Sequence, residues 1–224
     1  MALKAVIFDF NGVIVDDYPL QKEVWSKIAQ LVRGSAVTDE EMMKEIRGVP
    51  TKDTITRMSG GKLEASKVQE LAKQKDTLMR EAIETSPLFR LNTGLEEFLN
   101  DLKNKNIPLT IATSASKEIF TFLAERLKLG QWFNLEILIF SDGTFKGKPA
   151  PDHYILAAKK IGLNASECIV FEDAKSGIQS AHDAGCKNIV AIGTDDRLEV
   201  LTKLPGVVKG IHDFSEITVE SLFG

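Results

Sequence analysis

The 224-residue chain is poor in the residues that build metal and redox centres. It has two cysteines, Cys168 and Cys186, and three histidines, His153, His182 and His212. The cysteines stand in or near apolar stretches without the spacing of metal ligands. They read as reduced, buried thiols of a cytoplasmic protein. The histidines are scattered, none at ligand spacing, and none is assigned a function. Long apolar runs are also missing: none approaches the roughly 18 residues of a membrane span. The N-terminus carries one lysine and then a strand-like run, unlike a secretory signal. There is no excess of basic charge, since 28 basic and 32 acidic residues give a net charge of −4. Neither a nucleic-acid backbone nor an anionic membrane is therefore expected as the main partner. A small phosphate ligand needs only a few local donors and is left open. Internal repeats and low-complexity tracts are absent.

What is present is an ordinary globular composition, 43% hydrophobic and 27% charged, with length for one large domain or a domain plus an insert. Five short apolar runs recur: KAVIF before Asp9, PLTIAT, LEILIF before Ser141, CIVF before Glu172, and NIVAI at Asn188 to Ile192. Their β-branched and aromatic content suits strands buried on both faces. Helical patterns separate most of them. One places Leu95, Phe98, Leu99 and Leu102 on one face, and two others end at Gly162 and Gly185. Alternating strands and helices imply βαβ units and a parallel sheet, whose ligands gather beyond the carboxyl ends of the strands. Residues 17–87 are helical in period throughout. They read as an all-helical insert between residues 1–16 and 88–224, able to close as a lid.

The segment VIFDFNGVIVD puts Asp9 and Asn11 two apart at a strand tip, with Gly12 allowing a sharp turn beside them. Other tips supply Thr113, Ser114, Lys148, Glu172 and Asp173. Asp9, Glu172 and Asp173 form a set of hard oxygen ligands suited to Mg²⁺. Thr113, Ser114 and Lys148 suit phosphoryl oxygens. Each residue also has a plainer reading. Asp9 could be a turn or cap residue, Thr113 and Ser114 could cap the helix near Lys117, and the carboxylate pair and Lys148 could be solvated.

Order and placement together resemble the haloacid dehalogenase superfamily, in its β-phosphoglucomutase-like branch, over nearly the whole chain. FDFNGVIVD resembles the first motif, IATSAS the second, KGKPAPD the third and IVFEDAKSGIQSAHDAG the fourth. The resemblance implies an α/β fold, a Rossmann-like parallel sheet core with an inserted helical cap. It implies Asp9 as a nucleophile that becomes an aspartyl phosphate. Mg²⁺ would be held by Asp9, the carbonyl of Asn11, and Asp173, with Glu172 direct or through water. Ser114 and Lys148 would bind the phosphoryl group, with Thr113 beside them. The cap would contribute Asp17, Gln21, Trp25, Gly48, Thr51, Lys52 and Lys75 toward a small phosphorylated substrate such as a sugar phosphate. A monomer or weak dimer is expected.

Three departures bear on function. Most phosphatases and mutases of the family carry an acid where this chain has Asn11. An amide keeps the shape and the carbonyl but cannot shuttle a proton, and such catalysis is worth about 10²–10⁴-fold. The amide could mark a natural change of task or an introduced substitution, or a neighbour, Asp16 or Asp17, could serve as the base. The favoured reading of those two acids is hinge or capping residues. Gln21 stands at the family's histidine, and Thr51 and Lys52 stand where an arginine would clamp a second phosphate, which lysine cannot copy. Trp25 fits core and substrate roles equally, and Lys75 fits a substrate or a surface role. The expected function is an Mg²⁺-dependent phosphohydrolase acting through Asp9, slowed by Asn11. A phosphosugar mutase and a silent phosphate-binding protein are the alternatives.

Overall fold

A computed structural model of the chain describes residues 2–86 and 89–224. The expected boundary between insert and core falls on Pro87 and Leu88, outside the described residues. Four of the five apolar runs form strands: β1 Ala5–Phe8, β2 Leu109–Ile111, β3 Cys168–Glu172 and β4 Ile189–Ile192. β1, β3 and β4 are buried end to end, as continuous apolar runs require. With β5, Val207–Ile211, they make a five-stranded sheet in the order β2-β1-β3-β4-β5, every neighbouring pair parallel.

Two corrections follow. The run Leu135 to Phe140 does not become a strand; only Ile139 bridges to Ala112. A turn on Asn134 captures the amides of Glu136 (3.1 Å) and Ile137 (3.3 Å), which a ladder would need. β5 was not anticipated. It is an edge strand whose Val208 and Lys209 are exposed, so it lacks the pattern of a buried run.

Alternate strand residues face opposite sides of the sheet. Val6 and Phe8 join Phe98 of α5 (Leu95–Asn104) and Ile119 of α6 (Lys117–Arg126). Phe8 stacks on Phe171 at 5.3 Å between centroids, and each buried aromatic ring contributes about 1.5–3 kcal/mol. Ala5 and Ile7 meet α7 (Asp152–Lys160) and α8 (Lys175–Asp183) on the other side. After β4 come α9 (Asp195–Leu201) and, past β5, the terminal α10 (Val219–Phe223).

Between β1 and α5 the described residues hold helices and, besides them, isolated bridges from Val15 to Asn11 and to Leu91. α1 spans Tyr18–Arg33, α2 Asp39–Glu41 runs into a π-turn at Met42–Ile46, and α3 Thr51–Met58 and α4 Ala65–Thr85 follow. α1 starts at a proline-bearing first turn and buries Val24, Trp25, Ile28 and Ala29 at helical spacing. It stops where Gly34 turns left-handed and donates to the Gln30 carbonyl. α4 buries Val68, Leu71, Ala72, Lys75, Met79 and Ile83, one stripe that includes a lysine. Trp25, Ile28, Met42, Ile55 and Leu71 belong to an apolar cluster of the insert's own. No helix among the described residues is long and apolar enough to cross a membrane. Both cysteines are buried free thiols, as expected.

Candidate active site

β1 delivers Asp9 to the carboxyl edge of the sheet, where its amide donates to the Phe171 carbonyl (2.9 Å) and prolongs the pairing with β3. The chain then folds back as Gly12 donates to Val15 (2.7 Å). Gly12 has φ +85°, and a Cβ there would collide with Asp173 and Arg47, so only glycine fits.

Beneath Asp9 lies a sealed cluster of charges. Lys148 Nζ donates to Asp9 Oδ1 (2.6 Å), Glu172 Oε1 (2.7 Å) and the Ala112 carbonyl (3.1 Å). Tyr154 Oη also lies 3.1 Å from Nζ, so four acceptors surround its three protons. Tyr154 Oη donates to the same Glu172 oxygen (2.8 Å), while Glu172 Oε2 accepts from the amides of Asp173 (2.8 Å) and Ala174 (2.9 Å). Burial lifts the Asp9 carboxyl to about 7, with Lys148 opposing it. Burial works against the Lys148 charge, but Asp9 and Glu172 outweigh it and hold the ammonium above its ordinary value. Burial and the nearby carboxylates push the Tyr154 phenol well up, so it stays a donor.

Asp173 stands at the β3 edge between two arginines. Its Oδ2 pairs with Arg47 from the insert and with Arg197 of α9 (3.0 Å). Burial lowers Arg47 to about 10, with Arg197 adding to the effect. Asp9, Glu172 and Asp173 each offer an oxygen within 4.8 Å of the others, a hard-oxygen set that fits a divalent cation. Glu172 is the least free of the three, since both its oxygens are already engaged.

The insert roofs this edge. Gly48 (φ +73°) brings its carbonyl to Ser114 Oγ (2.9 Å), and the Arg47 carbonyl accepts from Ser176 Oγ (2.9 Å). A Cβ at Gly48 would strike Ser176, so this close approach again needs glycine. Between roof and sheet edge lies a pocket lined by Asp9, Asn11, Asp17, Tyr18, Gln21, Trp25, Met42, Ile46, Arg47, Gly48, Val49, Thr51, Lys75, Thr113, Ser114, Ala115 and Asp173. Lys75 sits 5.6 Å over the Trp25 ring, and burial lowers its ammonium below the ordinary value. Asp17 is buried, and its carboxyl is raised by that burial, with hydrogen bonds from Gln21 and Asn11 opposing.

Most of the expected site residues thus converge. Lys148 and Glu172 lie under the pocket, against Asp9. Lys52 does not join them: it is exposed on the first turn of α3, one helical step past Thr51. Asp17 is no cap, because its side chain makes no capping bond to α1. Lys75 is buried, not a surface lysine, and α6 is capped by Ser116 rather than by Thr113 or Ser114. Trp25 is buried in the insert's core and also lines the pocket. Arg47, Tyr154 and Arg197 were missed. Arg47 opens RGVPTKD, the loop segment that leads into α3, where a lone arginine looks like surface.

Known proteins match this arrangement. The sequence profile of the haloacid dehalogenase-like hydrolases matches residues 6–191, which takes in the sheet edge and the roof together. The chain belongs to the haloacid dehalogenase-like hydrolases. It is similar to "Phosphorylated carbohydrates phosphatase" of Thermotoga maritima, 30% identical over 85% of each chain. It is also similar to "Beta-phosphoglucomutase" of Bacillus subtilis, 27% identical over 98% of this chain and 94% of that one. Among solved structures, a HAD hydrolase of family IA, variant 3, from Entamoeba histolytica superposes with a TM-score of 0.88. It is 36% identical and covers 99% of this chain and 98% of its own. As a haloacid dehalogenase-like hydrolase the chain is an enzyme, and its parallel sheet with flanking helices is that family's fold.

Proposed function

We propose that this hydrolase is an Mg²⁺-dependent phosphohydrolase of small phosphorylated metabolites, phosphorylated carbohydrates among them, acting through an aspartyl phosphate on Asp9 and slowed by Asn11. The observation that carries the reading is the buried Asp9–Lys148 contact (2.6 Å) at the floor of the pocket. A carboxylate whose charge is masked by a fixed ammonium can approach an anionic phosphoryl group. An Asp9 oxygen bonds to phosphorus as the ester oxygen departs, and water then attacks the phosphoenzyme to release phosphate. Ser114 and Thr113, which line the pocket, hold the phosphoryl oxygens, and Lys148 joins them by giving up one of its contacts to Asp9, Glu172 or the Ala112 carbonyl. Asp9, the Asn11 carbonyl and Asp173 would hold Mg²⁺, with Glu172 direct or through water. The ion would supply positive charge to the phosphoryl oxygens. Asn11 can neither protonate the leaving oxygen nor deprotonate water, so esters with good leaving groups suffer least. Residues 17–87 act as the cap that covers the substrate.

A phosphosugar mutase is the second reading. Two cations favour it: Arg47 and Lys75 line the pocket in addition to Lys148 below it, enough for a second phosphate. Stimulation by an added sugar bisphosphate would select the mutase.

The test is a single-turnover assay with an aryl phosphate and Mg²⁺ on the parent, Asn11→Asp and Asp9→Ala. The parent is expected to give a burst of aryl alcohol and slow phosphate, Asn11→Asp to speed both steps, and Asp9→Ala to abolish both. A parent no faster than Asp9→Ala, with no gain from Asn11→Asp, overturns the reading in favour of a silent phosphate-binding protein.

A further inference from the structure

We infer that Asp17 determines substrate class: one of its carboxylate oxygens accepts a hydrogen bond from a hydroxyl of a polyhydroxylated phosphate ester, a sugar or sugar-alcohol phosphate. The inference rests on the phosphoester reading above and deepens it.

Asp17 occupies the position before α1 where a carboxylate commonly caps a helix, yet its side chain makes no such bond. Its Oδ2 accepts from two amides instead, Asn11 Nδ2 (2.6 Å) and Gln21 Nε2 (2.8 Å). Two donors on one oxygen fix the plane of the group. Oδ1 has no partner among the described residues. Asp17 lines the pocket, so a ligand there is the partner within its reach. A residue 2% exposed that keeps an open acceptor in a pocket wall is placed to take a donor from a ligand.

The neighbours decide which donor. Arg47 and Lys75 line the same pocket and disfavour an ammonium ligand, and Asp17 itself disfavours a second carboxylate. A neutral hydroxyl meets neither penalty. Lys75 has no carboxylate within ion-pair reach among the described residues and lies over Trp25, so a donor stands beside an aromatic face. A chain of hydroxyls both donates and accepts, while its C–H faces suit the indole.

The experiment measures binding, so it does not depend on turnover. Calorimetry compares a polyhydroxylated alkyl phosphonate with the plain alkyl phosphonate of equal length, on the parent, Asp17→Ala and Asp17→Asn, with melting curves as the folding check. The parent should prefer the hydroxylated ligand by roughly 10- to 100-fold, the range for a hydrogen bond to a charged group. Asp17→Ala should cut that preference to within about twofold and leave the plain ligand's affinity within about twofold. Asp17→Asn, which keeps the volume, should lower the preference and carries the test if Asp17→Ala does not fold. The inference is overturned if the parent shows no preference, if the variants leave it intact, or if they weaken both ligands equally. Loss of the aryl phosphate burst with the ligand preference retained would sink the catalytic reading and leave this one standing.

Discussion

The floor and the roof of the pocket are built on opposite principles. The floor, Asp9, Lys148, Glu172 and Tyr154, is sealed, and each polar hydrogen of the ammonium has its acceptor. The roof, Asp17, Gln21, Arg47 and Lys75, is also largely buried but leaves acceptors and a cation open to the pocket. A saturated network is rigid, and its stakes are high because any missing partner strands a charge in low dielectric. An unsaturated one holds its shape less tightly and has capacity left for a ligand. On the proposed function, the phosphoryl chemistry therefore sits in the floor, and the choice of substrate sits above it.

The largest expected effect tests the floor. Lys148→Met leaves Asp9 and Glu172 buried without their shared cation, side chains 8% and 0% exposed. Breaking a buried pair in this way costs about 3–5 kcal/mol, or roughly 6–20 °C in melting temperature for a chain of this size. Calorimetric melting checks it. A loss below about 1 kcal/mol would mean that the floor is no more sealed than the roof.

An intermediate effect tests the joint between the two layers. Asn11→Asp removes the amide that donates to Asp17 and sets two carboxylates at hydrogen-bond distance. The single variant should lose about 1–3 kcal/mol of stability even as it gains rate. Asn11→Asp with Asp17→Asn restores a donor facing an acceptor, in reverse order, and should recover most of that stability. A double-mutant cycle on melting curves measures the coupling. Additive effects would show that floor and roof are independent.

The floor was also the more legible layer, for the same physical reason. Asp9, Ser114, Glu172 and Asp173 each end or follow a buried parallel strand, or lie just past its tip. Strand period and sheet polarity therefore place them together before any contact is known. Lys148, inside KGKPAPD, follows no strand of the sheet, so strand period alone does not show that it sits beneath Asp9. The roof depends on how four helices cross, which their periods do not encode. Lys75 falls on the apolar stripe of α4 with Leu71, Ala72 and Met79, yet period alone cannot separate a buried lysine from a solvated one. Arg47 is placed by its contact with Asp173, a residue remote in the chain, and carries no local signal. The two strand errors share a cause with this: local turn chemistry at Asn134 and edge exposure at β5 overrode the apolar pattern on which the strands were assigned.

The smallest effect comes from charges that neither layer buries, and it shows what burial adds. His212 lies exposed between Asp195 (2.7 Å) and Glu216 (2.7 Å), a cation between two carboxylates much as Lys148 is. The hydrogen bond to Asp195, then that to Glu216, raises the imidazole above its ordinary value of 6.5. Because the folded value is the higher one, the stabilisation is fully present below the unfolded pKa of about 6.5. It is lost as pH rises through the raised folded value. Solvent screening keeps it far below the effect at Lys148. Melting curves of the parent and His212→Gln should therefore differ slightly near about pH 5.5 and coincide near about pH 9. A difference that persists unchanged at the higher pH would mean that packing, not charge, sets the contribution of His212, and the contrast between buried and exposed charge would then rest on Lys148 alone.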